Sequence, residues 1–310
     1  MYIESLKTIL KDNGPRLAYQ SLDGMNWKQL TSNDISSNID YINSYLIKNR
    51  VINKRILSLS SNCIESYILE CCLVNLGSSL NFASKSILLD VQFNLDFDII
   101  IVDRISDIAD NHILQNITKN KEIISIQAFK RDKATNSKSL SLQNILKIGL
   151  LAKRDNKSHD ELNINPFVDI SFLESDTIKT HTIDEINNFA DKNESLFKIL
   201  NENEFSTSLY LKKDIFSKVL NLLFIKSKNK FTNNSSLKIF MDNVNEIMPS
   251  NLIIDSGSLR ELINICYINK ASFSETTGTK INKIITFELS NNENLELIKK
   301  DKIEIINVTN

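Results

Sequence analysis

Two short segments gather the side chains best suited to meet a ligand. Asp255-Ser256-Gly257-Ser258-Leu259 closes an apolar run, and Ala271-Ser272-Phe273-Ser274-Glu275-Thr276-Thr277-Gly278 comes one helix later. Hydroxyls such as those of Ser258, Ser274 and Thr276 can donate to an oxyanion, and a carboxylate such as Glu275 is a natural oxygen ligand for a hard cation. The second segment also has a plainer reading, as a polar loop with a glycine turn. Other reactive groups are scattered. Cys63, Cys71 and Cys72 sit in or beside one apolar helix, Cys266 stands apart, and there is no C-x-x-C pair. Cysteines in that setting act as small hydrophobes. His112, His159 and His181 show no i,i+4 spacing, so a zinc site is not expected. G-x-S-x-G, H-E-x-x-H, a Walker A loop and the dinucleotide G-x-G-x-x-G are all missing.

The elements that must position these groups read as alternating strands and helices. Asn33 to Lys48 places Ile35, Ile39, Ile42, Tyr45 and Leu46 on one stripe, with Ser32 or Asn33 as cap. Arg55 to Ser60 is a short strand. Asn62 to Leu76 is apolar nearly all round and should be a buried helix ended by Gly77. Strands are expected at Ser79 to Phe82, Asp98 to Val102 and Glu122 to Ile126, and a helix at Ser86 to Asn94. The β-branched run Asp98 to Val102 does not alternate, as in a strand covered on both faces. Arg131 to Ser141 and Lys153 to Asn165 read as loops. Farther on, strands are expected at Thr207 to Leu211, Leu237 to Met241 and Asn251 to Ile254. Helices are expected at Asp214 to Ile225 and Ser258 to Tyr267. Ile284 to Leu289 and Ile303 to Val308 suggest a small C-terminal β element. This alternation implies an α/β fold of two stacked subdomains with mostly parallel sheets flanked by helices. The expected spans are 1–165 for the first subdomain, 166–282 for the second and 283–310 for the β extension.

Composition excludes some classes. The net charge is −1, from 37 basic and 38 acidic residues, which gives no global field for nucleic acid or an anionic membrane. The most apolar stretch, Cys63 to Leu76, carries Glu65, Glu70 and Asn75 and is shorter than the roughly 20 residues a bilayer needs. Without a signal-peptide pattern at the start, the expected location is cytoplasmic. Only 6 glycines are present, few for loops in which backbone must approach phosphate closely.

Segment Arg16 to Ser84 resembles the opening of the AMP-forming acyl-CoA synthetase, adenylation-domain and luciferase superfamily. There a "T-Y-x-E-L" step leads into a helix, followed by "G-D-R-V", a strand, an Asn, an apolar helix and "A-G-A-x-x-x-P". Here stand Asn26-Trp27-Lys28-Gln29-Leu30, then Asn53-Lys54-Arg55-Ile56, Asn62, the apolar helix and Leu76-Gly77-Ser78-Ser79-Leu80-Asn81-Phe82. Asp255 to Leu259 is similar to the family's "G-G-A-P-L", and Ala271 to Gly278 is similar to the region of "Y-G-x-T-E". The resemblance implies that Ser274 stands for the Thr that contacts the adenylate phosphate and Glu275 for the Glu that helps hold Mg²⁺. Gly257, Ser258 and Thr276 complete the implied nucleotide-binding set, and ATP or AMP with Mg²⁺ is the implied cofactor. The aromatic that packs on adenine is replaced by Ala271.

The family's phosphate loop, roughly "T-S-G-T-T-G-x-P-K-G", has no counterpart. At its place stands Phe167-Val168-Asp169-Ile170-Ser171-Phe172-Leu173-Glu174-Ser175-Asp176-Thr177-Ile178-Lys179-Thr180-His181, without a glycine and with Glu174 and Asp176 as like charges toward a triphosphate. Losing one donor to a developing oxyanion costs about 3–4 kcal/mol. Nothing from Thr279 to Asn310 matches the family's ribose-binding Asp, hinge or lid lysine, and Lys299, Lys300 and Lys302 belong to a charge run. The sequence therefore implies a shortened, degenerate ligase-like chain that does not adenylate alone, with no assigned catalytic residue. It is expected to keep acyl or nucleotide binding in a cleft between the subdomains. The implied partners are an acyl or aryl carboxylic acid, an acyl carrier protein or an intact ligase. The alternatives are an active atypical ligase completed by a partner chain, or a non-catalytic partner of a ligase or carrier protein.

Overall fold

The computed structural model describes residues 3–13, 17–23, 26–84, 96–127, 138–154, 162–174, 177–198, 200, 204–227, 230–234, 236–287 and 295–308. Its elements run α1 (Ile3–Asn13), β1 (Leu17–Asp23), β2 (Asn26–Thr31), α2 (Ser32–Lys48), β3 (Arg55–Ser58), α3 (Ile64–Asn75), β4 (Ser79–Phe82), β5 (Ile99–Val102), α4 (Ser106–Ala109), α5 (His112–Ile117), β6 (Glu122–Ser125), β7 (Ser139–Ser141), α6 (Leu142–Arg154) and β8 (Asp169–Glu174). Then come β9 (Thr177–Thr182), α7 (Ile183–Lys198), β10 (Phe205–Leu209), α8 (Ile215–Ser227), β11 (Lys230–Asn233), α9 (Leu237–Ile247), β12 (Asn251–Asp255), α10 (Ser256–Asn269), α11 (Phe273–Thr277), β13 (Lys283–Phe287), α12 (Glu296–Lys300) and β14 (Glu304–Val308).

These elements form two compact units with interleaved segments. The first comprises Met1–Arg16, Leu30–Lys192 and Lys213–Leu222, and the second Leu17–Gln29, Asn193–Lys212 and Leu223–Asn310. Each holds a seven-stranded sheet. The first has the order β7-β6-β5-β3-β4-β8-β9, parallel except for the antiparallel pair β8/β9. The second has the order β14-β13-β12-β10-β11-β1-β2 and is parallel from β14 through to β1.

Most of the alternating pattern forms as expected. α2 buries Ile35, Ile39, Ile42 and Leu46, and its cap is Thr31, which exchanges hydrogen bonds with Asp34 as a capping box. α3 is buried on all sides, and Gly77 beyond it has φ +76°. An added Cβ there would come within 2.8 Å of the Asn165 backbone nitrogen, so the turn needs glycine for both conformation and space.

Four expectations are corrected. Leu237 to Met241 is the start of helix α9, because Leu237, Phe240, Val244 and Ile247 recur at helical spacing and Ser236 caps the first turn. The strand before it, Lys230–Asn233, carries a single large apolar residue, Phe231, too little for a pattern to show. Ser139–Ser141, read as loop, is an edge strand paired with β6. The boundary near 165 does not divide the units, since β8 and β9 join the first sheet through β4. The C-terminal strands likewise extend the second sheet through parallel pairing with β12 instead of standing alone. The helix expected at Ser86 to Asn94 falls outside the described residues.

Candidate functional site

In open parallel sheets, ligands bind beyond the carboxyl ends of the strands, where helix N-termini and loops converge. Each unit presents such an edge, built differently.

In the second unit, β12 ends at Asp255, and the chain turns at once into the 14-residue helix α10. Asp255 is its cap. One carboxylate oxygen accepts the Ser258 N–H at 2.9 Å, and the other accepts the Ser258 hydroxyl at 2.8 Å and the Leu211 N–H at 3.0 Å. The Ser258 donors at this helix end are thus taken by a carboxylate of the chain itself, and a second anion there would face like charge. Gly257 is exposed in the first turn, and an added Cβ would approach only the Asp255 carboxylate, at 3.2 Å. The neighbouring strand ends add polar groups. Asn234 donates to the Thr207 hydroxyl at 2.8 Å and to the Ser208 carbonyl at 3.0 Å, Ser208 bonds Asn233, and Phe287 lies beside Asp255 in register.

Ser274, Glu275 and Thr276 are elsewhere. α10 runs back along the sheet for about 20 Å at 1.5 Å per residue, so the segment after it lies at the amino ends of the strands. Two contacts fix α11 there, and a third fixes the chain that follows it. The Ser274 N–H donates to Asp301, just before β14, at 2.7 Å. Asn245, near the end of α9, meets the carbonyls of Thr277 and Gly278. Asn282, which leads into β13, bonds the Ser250 carbonyl at the start of β12. Glu275 is the N3 residue of a capping box, where its carboxylate accepts the Ser272 N–H at 2.8 Å. The Thr276 hydroxyl is buried beside the Cys266 thiol. The structure therefore puts Gly257 and Ser258 at one edge of the sheet and Ser274, Glu275 and Thr276 at the other. The implied nucleotide set is not brought together. Among the described residues no group of three or more His, Cys, Asp and Glu suits a metal ion.

In the first unit, the segment at the place of the phosphate loop is an antiparallel hairpin. Asp169–Glu174 pairs with Thr177–Thr182 in continuous register from Asp169↔Thr182 to Glu174↔Thr177, which leaves two residues between the strands. Ser171 and Thr180 join side chains at 2.9 Å across the pair, and the His181 ring packs edge-on against Phe172 at 5.8 Å. The backbone groups of 169–174 and 177–182 that face each other are thereby committed to the ladder, with β9 at the edge of the sheet.

Beyond β3 and β4 of the same unit lies a polar cluster that sequence reasoning missed. Glu70 of α3 is 3% exposed and Lys218 of α8 is 9% exposed. Their side chains pair at 3.2 Å. The other Glu70 oxygen accepts Ser58 at 2.7 Å and Ser60 at 3.4 Å, and the Lys218 ammonium stands 3.7 Å above the centre of the Phe82 ring. The pair lines a cavity of about 50 Å³ whose walls include Tyr67, Ile170 and Leu222. Lys213, in the segment before α8, donates to the Ser60 carbonyl and, at 3.4 Å, to Asn62 Oδ1. Burial and the neighbouring Lys218 charge push the Lys213 ammonium down to about 7, against the opposing pull of Glu70, Asp103 and Cys63. The thiols nearby are held away from the reactive thiolate form. Burial pushes Cys63 and Cys71 up to about 12. The only sequence signal for this cluster was a pair of acids inside an otherwise apolar helix, of which Glu70 proves to be the functional-looking member.

Comparison with solved structures places the architecture. The A-PCP didomain of carboxylic acid reductase from Segniliparus rugosus, solved in complex with AMP, matches 98% of this chain with TM-score 0.71 and 9% identity. The match spans 51% of that protein. VinN in complex with L-aspartate matches 98% of this chain and 75% of its own length with TM-score 0.63 and 11% identity. A putative long-chain-fatty-acid CoA ligase from Rhodopseudomonas palustris matches 97% and 74% with TM-score 0.61 and 14% identity. No family model and no curated protein matches the sequence. The chain thus has the fold of the adenylation domains and acyl-CoA ligases that it matches. Likeness at this level of identity establishes the fold and leaves the chemistry to the site.

Proposed function

We propose that this chain is a ligase-like protein that does not adenylate a carboxylic acid by the superfamily's usual route, and that it keeps a binding site at the carboxyl edge of its second sheet. The observation that carries this reading is the hairpin at 169–182. Its strands pair to within two residues of each other, so a paired ladder stands where an open glycine-rich loop would cradle a triphosphate. Asp255 supports the second half of the proposal. Because its carboxylate takes the Ser258 donors and puts a negative charge at the α10 N-terminus, the edge suits an uncharged part of a ligand, such as a ring or an acyl group, over a phosphate. AMP in the carboxylic acid reductase and L-aspartate in VinN make an adenylate or a carboxylic acid the first ligands to try. A carrier protein is the matching partner class, since the first of these is an A-PCP didomain. Mg²⁺ has weaker support, because Glu275 points to the opposite edge and caps its own helix.

The test is calorimetry with AMP, ATP–Mg²⁺ and a non-hydrolysable acyl-adenylate mimic, alongside ATP–pyrophosphate exchange. Expected are micromolar binding of the mimic, its loss in Gly257→Gln, its persistence in Ser274→Ala, and no exchange. Gly257→Gln adds bulk at an exposed position with little to displace, so the variant should fold. Exchange with any carboxylic acid would overturn the catalytic half of the proposal and favour an atypical active ligase. Absence of binding at millimolar ligand would overturn the other half.

A further inference from the structure

The cavity beside Glu70 and Lys218 lies within the first unit, enclosed by α3, α7, α8 and the strands β4 and β8. Its walls are largely aliphatic, with Leu80, Ile170, Ile186, Val219 and Leu222 among them. Among the described lining residues, charge enters at one place, the pair of Glu70 and Lys218, 3% and 9% exposed and 3.2 Å apart. The wall around this pair is held firmly. Phe82 carries the Lys218 ammonium over its ring at 3.7 Å and stacks on Phe172 of β8 at 5.3 Å. The described lining residues are all buried except Asn187 of α7, which is half-buried, so the way in passes its side chain.

From this geometry we propose that the cavity binds the hydroxyl-bearing end of an uncharged aliphatic ligand. The hydroxyl meets the Glu70–Lys218 pair, and the carbon chain runs along the aliphatic walls toward Asn187. The inference does not rest on the binding site of the second unit.

Size, charge and hydrogen bonding set this class. A water-sized group needs about 10–15 Å³, so a cavity of about 50 Å³ takes roughly three or four non-hydrogen atoms. That excludes an aromatic ring, since benzene occupies a cavity of about 150 Å³. The ion pair is neutral as a whole. An anion brought in would sit beside Glu70, a cation beside Lys218, and burial without a further counter-charge makes either costly. A hydroxyl both donates and accepts. It can donate to Glu70 Oε2 and accept from Lys218 Nζ, the two atoms that meet at 3.2 Å. Water offers the same hydrogen bonds but no apolar atoms to the walls, whereas an alkyl chain gains dispersion contacts there. A fragment of so few atoms binds in the millimolar range.

The experiment titrates the full chain with n-propanol, and with propionate and propylammonium as charged molecules of the same size. Isoleucine, leucine and valine methyl groups are followed by NMR. Expected are saturable shifts, with a millimolar Kd, at Ile170, Ile186, Val219 and Leu222, and binding of both ions weaker by at least about ten-fold. Val219→Leu adds a carbon to the wall and should weaken n-propanol several-fold. Glu70→Gln removes the negative charge but keeps the shape, so Lys218 is left as an uncompensated cation and the preference should turn to propionate. The titration of the unsubstituted chain decides the question even if a variant fails to fold. Three results would overturn the proposal: unmoved wall methyls, meaning a cavity for water only; shifts that rise linearly and spread over surface methyls; or an ion that binds as tightly as the alcohol.

Discussion

Replacing Lys218 by Met should destabilise the first unit by about 3 kcal/mol. Lys218 and Glu70 pair at 3.2 Å with side chains 10% and 4% exposed, so both charges have left bulk water. Removing one partner of such a pair typically costs about 3–5 kcal/mol, because the other charge stays buried and uncompensated. The lower end applies here for two reasons. Glu70 keeps Ser58 at 2.7 Å as a donor, and Lys213 lies close enough to feel its charge and can move toward it. Met preserves the stem of the side chain and its contact with Phe82, though it forfeits the cation's attraction to the ring, worth up to about 2 kcal/mol when desolvated. The assay is urea unfolding at pH 7 followed by circular dichroism, with Lys218→Met, Glu70→Leu and the double variant in one cycle. The double variant should recover most of the loss, since an apolar pair of similar volume often replaces a buried ion pair at little cost. The reasoning is refuted if either single variant loses less than about 1 kcal/mol, or if the double variant loses the sum of the two.

Other consequences are as specific. Gly149 of α6 is buried against α2, where an added Cβ would overlap the Tyr41 carbonyl. Gly149→Ala should therefore lower stability by about 1–3 kcal/mol in the same unfolding assay, through overpacking. Lys213 binds a proton less readily folded than unfolded, so between pH 7 and 10.5 the unfolded chain holds more protons and stability from this group rises with pH. Lys213→Met should thus be more stable than the parent at pH 6, with the gap narrowing by pH 9. Asp40 lies between Lys7 at 2.5 Å and Lys153 at 2.6 Å. Burial raises its carboxyl, but the two lysines outweigh that and hold it below the usual 3.8. Its contribution is present above that value and lost as pH falls below it. Asp40→Asn should cost less than about 1 kcal/mol at pH 7 in a partly exposed setting, and progressively less as pH falls and the parent carboxylate is protonated.

Much of the architecture was legible in the chain because hydrophobic period and strand–helix alternation are local properties. The stripe of α2, the all-round burial of α3, the glycine after it and the β-branched run at 99–102 each come from residues within a few positions of one another. Where local signal was thin, the reading failed. β11 holds one large apolar residue, and α9 opens with the run Leu237-Lys238-Ile239-Phe240-Met241, whose helical spacing emerges only when Val244 and Ile247 are included.

The sequence by itself also determined that residues 167–181 cannot form a glycine-rich phosphate loop, since backbone freedom of that kind resides in residue type. It could not decide where the remaining polar groups would face. Ser258 and Ser274 are separated by 16 positions, but α10 carries the chain from one edge of the sheet to the other between them, so similar motifs at plausible spacing end about 20 Å apart. Nor could it pair Glu70 with Lys218, 148 positions away, or set Lys213 beside them. Those meetings depend on which strands lie side by side in the first sheet and on the packing of α8 within that unit. Charge in a protein interior is governed by its surroundings in space. Only the folded chain sets Lys213 in a buried position beside Lys218, where its ammonium is disfavoured.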